Sequence, residues 1–328
     1  MKIIKVSVCI PVYNVEAYIE KCARSLFEQT LDDLEYVFVD DCSTDRSREI
    51  LASVLDEYPK RRQQTKIIHH AKNLGVSVSR MEAIRNTIGA YVIHCDADDW
   101  IEPTMYERLY SAAVATGSDM VYCSYFRNSE NSEFAFPDRQ YDDPKDMIKA
   151  FCSSKSHCSL WNKLYKSEIA RSSDLDLPSD CNMSEDMRLN VQMLLKCRKI
   201  FFVDSFFYHW RCNPRSLTGL FRNSQSFESD ISNADFFTHI LSPYEFRDSI
   251  DRYKWRILLE SCMLGGISAK RWHSLWKMAK WRFVFKGHHS WKLKIVFLLA
   301  CINFTATSWL WKALHERNNG KKKEVGIL

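Results

Sequence analysis

A chain of 328 residues, 46% apolar and 27% charged, with only 9 Gly and 8 Pro, can build one large core or a core plus a smaller appendage. That composition excludes collagen-like, low-complexity and disordered classes. The net charge of +5 hides a division: from Ile267 onward 13 Lys/Arg face only Glu316 and Glu324, a net of +11, while residues 1–266 carry 33 Lys/Arg and 39 Asp/Glu, a net of −6.

The first 125 residues alternate strand-like and helix-like segments. Ile3–Ile10 is an apolar run ended by Pro11, and Asn14 is placed to cap a helix over Val15–Gln29. Leu34–Val39 reads as a strand, followed by Asp40-Asp41-Cys42-Ser43-Thr44-Asp45 and a helix to about Glu57. Thr65–His69 is a third strand and Val76–Ile88 a third helix. Ala90–Cys95 is a fourth strand, ending in Asp96-Ala97-Asp98-Asp99. Pro103 opens a further helix at its first position, and Met120–Ser124 is a fifth strand. Such βα repetition predicts an α/β fold with a mostly parallel sheet flanked by helices, whose ligands sit at the carboxyl ends of the strands. Each polar cluster named here falls at such an end.

Residues 126–160 read as polar and irregular, with a short helix from Pro144 to Phe151. Trp161–Tyr165 is a strand or tight turn, Ser184 caps a helix through Leu195, and Ile200–Trp210 is a strand. From Phe227 the pattern is helical to the end. The expected division is a catalytic domain over 1–220 and a helical, basic, Trp-rich region over 221–328.

No glycine pair fits a dinucleotide fingerprint or a P-loop, so a metal or cationic side chains must handle any phosphate. The twelve Cys show neither a C-x-x-C pair nor zinc spacing, and no signal peptide is evident. A reduced cytosolic setting follows from that usage.

Three carboxylates within Asp96–Asp99 repel one another unless a divalent cation gathers them; a solvated acidic turn is the other reading. Mg²⁺ or Mn²⁺ binds through one or two carboxylates plus substrate phosphates, which is the capacity available here. Tyr13 at a strand mouth suits stacking on a nucleobase or simple packing. Glu185-Asp186 suits acid–base work or the first turn of a helix. Arg211 and Arg215 are diphosphate clamps or ordinary exposed arginines.

Taken together, these segments resemble the family 2 glycosyltransferases of the GT-A (Rossmann-like) fold. The resemblance rests on Val6-Ser7-Val8-Cys9-Ile10-Pro11-Val12-Tyr13-Asn14, Ser25-Leu26-Phe27-Glu28-Gln29-Thr30 and Val39-Asp40-Asp41-Cys42-Ser43-Thr44-Asp45. It continues through Asn73-Leu74-Gly75 with Arg80, Asp96-Ala97-Asp98-Asp99, Trp161-Asn162-Lys163-Leu164-Tyr165 and Ser184-Glu185-Asp186, covering about residues 4–216. Two departures stand out: Cys42 where Gly is usual, and Ser79-Arg80-Met81 in place of Ala-Arg-Asn.

The resemblance implies a nucleotide-sugar donor, a UDP-sugar above all, with Tyr13 and Asp41 on the base and Pro11, Asn14 and Arg80 lining the pocket. It implies Asp96 at the ribose, Asp98 at a Mn²⁺ or Mg²⁺ ion with Asp99 as second ligand, and Arg211 and Arg215 at the diphosphate. Asp186 would be the catalytic base of an inverting transfer, with Glu185 orienting it. The acceptor would be a glycan or lipid-linked glycan in cell-surface polysaccharide synthesis. A sugar nucleotidyltransferase and a non-catalytic membrane-associated module are the rival readings.

In the tail, Trp272, Leu275, Trp276, Ala279 and Phe283 share one helical face, with Arg271, Lys277, Lys280 and Arg282 off it. Such a helix can lie on an anionic membrane or pack on the body. Ile295–Trp311 is too short and too polar for a clear membrane span. An acidic sheet mouth opposes nucleic acid, so the expected location is cytoplasmic, peripheral on the inner membrane face.

Overall fold

The computed structural model describes residues 3–129, 131–181, 183–213, 224–241 and 243–264, with 268–270, 272, 295, 298–300, 302, 303 and 307. The chain divides into two compact units, Met1–Gly219 and Leu220–Leu328.

In the first unit, β1 (Val6–Val12) is buried on both faces, as a central parallel strand must be. α1 (Ile19–Phe27) buries Ile19, Cys22, Ala23, Leu26 and Phe27, a stripe at helical spacing that faces the sheet. Truncating Leu26, which is wholly buried, would cost about 2–5 kcal/mol. Next come β2 (Leu34–Asp40), α2 (Ser47–Asp56), α3 (Pro59–Arg62), β3 (Thr65–His69), α4 (Val76–Arg85) and β4 (Tyr91–His94). Strands β3, β2, β1 and β4 lie side by side, all parallel. Gly89 makes the close approach into β4 possible, because a Cβ there would lie 2.7 Å from Ser7 Oγ and 2.8 Å from Ser7 N.

The remaining elements are β5 (Trp100–Ile101), α5 (Met105–Thr116), β6 (Met120–Ser129), β7 (Ser132–Phe136), α6 (Pro144–Cys152), β8 (Lys163–Lys166), α7 (Ser167–Ala170), α8 (Glu185–Lys196) and β9 (Ile200–Arg211). The sheet continues β4-β8-β6-β9-β5, with β7 on β6. Only the β6–β9 pairing in this half is parallel; β8, β7 and β5 join antiparallel. The sheet is therefore mixed, with its parallel half carrying the first three polar strand ends.

Four local expectations need correction. Pro103 is not the first residue of its helix, because α5 begins at Met105 with Thr104 in the cap position. Asn14 does not cap α1: its backbone is left-handed (φ 50°), its side-chain oxygen accepts from Thr44 N at 2.8 Å, and α1 begins only at Ile19. Ser184 occupies the cap position of α8 but is left-handed (φ 58°) and makes no side-chain cap bond. Residues 126–160 are not irregular throughout, because β6 runs on to Ser129 and folds back as β7.

In the second unit, α9 (Ser224–Ile240) and α10 (Pro243–Leu264) pack through Phe237 and Tyr253, with ring centroids 5.6 Å apart, and Tyr253 donates to Asp230 at 3.0 Å. Trp272 is buried and its indole donates to Leu258 O at 3.0 Å, so this first member of the predicted tail stripe is part of the packing. The other stripe residues, Leu275, Trp276, Ala279 and Phe283, lie outside the described residues, as does most of Ile295–Trp311. No helix among the described residues is long and apolar enough to cross a membrane.

Candidate active site

The ends of β1 and β2 are clamped to each other. Asn14 N donates to Ser43 Oγ at 3.1 Å, Val15 N to Ser47 Oγ at 2.8 Å, and Glu16 N to Asp45 Oδ2 at 2.9 Å. Cys42 lies in this junction with φ 63°, a left-handed backbone that explains why Gly is the usual residue there. Pro11 sits in β1 opposite Val39, and Tyr13 follows the strand with 47% of its surface exposed.

Asp41 is nearly buried and its carboxylate builds the neighbouring loop. Oδ1 accepts from Leu74 N and Oδ2 from Gly75 N, both at 2.8 Å, and His70 Nδ1 lies 2.7 Å from Oδ1. The Asn73-Leu74-Gly75 turn that opens α4 is thus held by the same side chain the sequence marks for the base. His70 is a partner the sequence does not single out.

At the end of β4 the three carboxylates have different surroundings. Asp99 is buried: Tyr208 donates to Oδ2 and Arg211 N to Oδ1, both at 2.7 Å. Burial, then the charges of Asp98 and Asp96, push its carboxyl well above the usual range. Asp98 is more accessible, accepts from Asn213 Nδ2 at 3.2 Å, and is pushed upward by burial and by Asp96. Asp96 is paired with Arg80, whose Nη2 lies 3.0 Å from Oδ1.

Arg80 connects this cluster to α8. It is buried, its Nε donates to Glu185 Oε1 at 3.1 Å, and its Nη1 is buried with no hydrogen-bond partner among the described residues. Glu185 is itself buried in the first turn of α8. Beside it, Asp186 is pushed up to about 7 by burial and the Glu185 charge, with Arg80 opposing the shift. A carboxyl so placed can exchange a proton near neutral pH, as a general base must.

Arg211, on β9, donates from Nε to Asp98 O at 2.9 Å and lays its guanidinium over Tyr18 (5.0 Å) and Trp100 (4.7 Å). Lys21 Nζ sits 3.2 Å from the Trp100 ring centroid, and burial followed by the Arg211 charge lowers its pKa. Arg215 lies outside the described residues. The structure brings Arg80, Asp96, Asp98, Asp99, Glu185, Asp186 and Arg211 into one connected region, with Pro11, Tyr13, Asn14 and Asp41 at the adjoining strand ends.

Sequence reading missed Tyr208, which donates to Asp99 and accepts from Asp96 N at 3.1 Å, because it is hidden in an aromatic strand. It also missed the role of Lys163. This ammonium is buried and donates to His157 O, Ser159 O and Asn162 Oδ1 at 2.8–3.0 Å, so it shapes the 157–162 loop.

For a divalent cation, the donor set is oxygen only. Among the described residues no three His, Cys, Asp or Glu side chains converge as a metal-holding group. Asp99 accepts from Tyr208 through Oδ2 and from the Arg211 amide through Oδ1, while Asp98, the more accessible, has Asp96 beside it. Asp98, whose proton affinity is raised by burial and by the Asp96 charge, fits a cation that completes its shell with phosphate oxygens.

The sequence profile of Glycosyl transferase family 2 matches residues 7–182, more than half the chain and all the strand ends just described except β9. The chain belongs to this family. It is 31% identical over 220 residues to EpsJ of Bacillus subtilis strain 168, an uncharacterized glycosyltransferase, the match covering 65% of this chain and 62% of EpsJ. It is 30% identical over 272 residues to EpsH of the same organism, itself assigned as a glycosyltransferase only provisionally, covering 79% of this chain and 76% of EpsH. The crystal structure of S. aureus TarS 1-349 in complex with UDP-GlcNAc superposes with a TM-score of 0.70 and 17% identity, covering 96% of this chain and 92% of that one. At that identity the likeness establishes the fold, and family 2 membership places the mixed sheet among GT-A folds.

Proposed function

We propose that this family 2 member is an inverting glycosyltransferase that moves a sugar from a nucleotide-sugar donor to a hydroxyl of a glycan or lipid-linked glycan. The observation that carries the reading is Arg80, which binds Asp96 on the donor side and Glu185 on the other, beside a carboxyl at about 7. Asp186 then takes the acceptor hydroxyl proton, and Glu185, pinned by Arg80, holds the base in place. Asp41, Pro11, Tyr13 and Asn14 frame the base end, Asp96 the ribose, and Arg211 the diphosphate, with Arg215 as its proposed companion.

Asp98, with Asp96 or Asp99 as neighbour, is the proposed seat of Mn²⁺ or Mg²⁺, and a bound cation would neutralise the leaving diphosphate. A UDP-sugar is the donor favoured here, supported by the TarS complex with UDP-GlcNAc. Polysaccharide synthesis at the inner membrane face is the proposed setting, with residues 1–220 catalytic and 221–328 meeting anionic lipid. Supporting that last point, the helical residues Ile295, Leu299 and Ile302 are 45%, 45% and 83% exposed at i, i+4, i+7 spacing. Trp272, being buried, takes no part.

Nucleotide release from a panel of nucleotide sugars, with and without Mn²⁺ and with oligosaccharide acceptors, tests the reading. Release that requires both a donor and a divalent cation is expected. No release from any nucleotide sugar would overturn it.

A further inference from the structure

Asp41, the carboxylate proposed for the nucleobase end, is nearly saturated by the protein itself. A carboxylate offers about four lone-pair sites, two on each oxygen. Oδ1 accepts from Leu74 N at 2.8 Å and lies 2.7 Å from His70 Nδ1, while Oδ2 accepts from Gly75 N at 2.8 Å. Against an ionised carboxylate, only a protonated ring nitrogen can sit that close, so Nδ1 of His70 carries the proton and donates. Among the described residues, three of the four sites are therefore taken, and the one left is on Oδ2.

The backbone fixes this arrangement. His70 N donates to Asp40 O at 2.9 Å, extending the ladder between β2 and β3 by one residue. The His70 side chain is 9% exposed and that of Asp41 5%. His69, one residue earlier, lies 3.3 Å from Asp40 with 51% of its side chain exposed. His70 is thus the covered member of the two. Held by His70 on one side and by the amides of Leu74 and Gly75 on the other, the Asp41 carboxylate cannot turn to free a second site.

Nucleobases differ in what they present to such an acceptor. Uracil carries one ring N–H between two carbonyls. Guanine carries a ring N–H beside an amino group, a donor pair that matches both oxygens of an unencumbered carboxylate. On Asp41, one of those two donors would meet an oxygen whose lone pairs are both in use, and would stay unpaired.

We propose that His70 is a positioning residue that sets nucleobase specificity. By occupying the second site on Asp41 Oδ1, it restricts the carboxylate to a single incoming donor and so selects a uracil-type over a guanine-type base. This role rests on placing Asp41 at the base in the transferase reading above.

The test measures UDP and GDP affinity by calorimetry, with Mn²⁺, for the full chain and for His70→Leu and His70→Asn. The unsubstituted chain should prefer UDP. His70→Leu, which frees Oδ1, should lower the UDP-to-GDP affinity ratio by about tenfold. His70→Asn should keep the ratio, since its amide nitrogen can donate from the place of Nδ1. A residue that merely fastened the loop would weaken both nucleotides together, so an unchanged ratio in the leucine chain overturns the role, as does preference for GDP in the unsubstituted chain. Imidazole ¹⁵N NMR of the unsubstituted chain gives a second readout that stands even if the leucine chain does not fold. His70 should be protonated at Nδ1 with UDP bound, and a bare Nδ1 would overturn the role. Failure of the transferase reading is distinguishable, because it appears as absent nucleotide release from every nucleotide sugar, whereas failure of this role appears as an unchanged ratio in a chain that does release nucleotide. Binding of neither nucleotide would overturn both.

Discussion

Arg80 and Glu185, 105 positions apart in the chain, meet at 3.1 Å inside the protein, and the other edge of the same guanidinium holds Asp96 at 3.0 Å. One cation therefore joins the loop after β4 to the first turn of α8. Replacing Arg80 with Met leaves Asp96, Glu185 and Asp186 facing one another without compensation. A loss of about 3–5 kcal/mol in stability is expected from stranding buried Glu185 between half-buried Asp96 and Asp186, read as a lower denaturant midpoint. Stability unchanged within 1 kcal/mol would contradict the bridging role.

Asp186 should dominate the acid side of the pH–rate profile. Only its deprotonated form accepts the acceptor proton, so kcat/KM should rise with pH and level off above about 7. Asp186→Asn should lower turnover by roughly 10²–10⁴-fold with nucleotide affinity retained. In an Arg80→Lys chain that still folds, weaker opposition from the cation should move the acid limb upward, because Arg80 holds the Asp186 carboxyl down. A flat profile between pH 5 and 8 is incompatible with this assignment. The same shift has a sign for stability: the folded carboxyl binds its proton more tightly than the unfolded one, so this contribution, full below the unfolded value of 3.8, is lost as pH rises through about 7. The ionised, active form is the less stable one.

Asp98 and Asp99 should separate cleanly on substitution. Asp98→Asn should weaken Mn²⁺-dependent UDP affinity measured by calorimetry and leave the melting temperature near its starting value. Asp99→Ala should instead destabilise the fold by about 2–4 kcal/mol, because Tyr208 and the Arg211 amide lose a shared buried acceptor. Equal effects of both changes on metal-dependent binding would restore Asp99 as a ligand.

Cys42→Gly should stabilise the chain by about 1 kcal/mol by removing the steric cost of a side chain at φ 63°. Cys42→Val, β-branched in the same conformation, should do the reverse. Urea unfolding of the three chains measures both, and a lower midpoint for the glycine variant would contradict the strain argument.

Legibility differed between elements for physical reasons. β3 was read at its full extent, Thr65–His69, because a short β-branched run bounded by polar residues has few alternatives. α1 came out four residues shorter at its start, since Asn14 gave its acceptor to Thr44 of the neighbouring loop and not to its own helix. β7 went unrecognised because its residues are all exposed, so no burial pattern marks Ser132–Phe136. The role of Lys163 as a buried fastener of its own loop is not legible in the sequence, because its three acceptors are two backbone carbonyls and one amide oxygen that only the folded loop brings together.

What the amino-acid order determined by itself was the alternation of buried strands and amphipathic helices, and the placing of carboxylates at the strand ends. Those features depend on neighbours in sequence, where hydrophobic period and steric preference act directly. Which carboxylates share a cation, which are buried, and which can exchange a proton at neutral pH were decided only in three dimensions. Asp96, Asp98 and Asp99 are near-identical in sequence context, yet Arg80, Asn213, Tyr208 and the Arg211 amide, arriving from distant segments, set each one's charge and solvation separately. Electrostatic environment is a property of spatial neighbours, so it emerges only when the strands and α8 pack together.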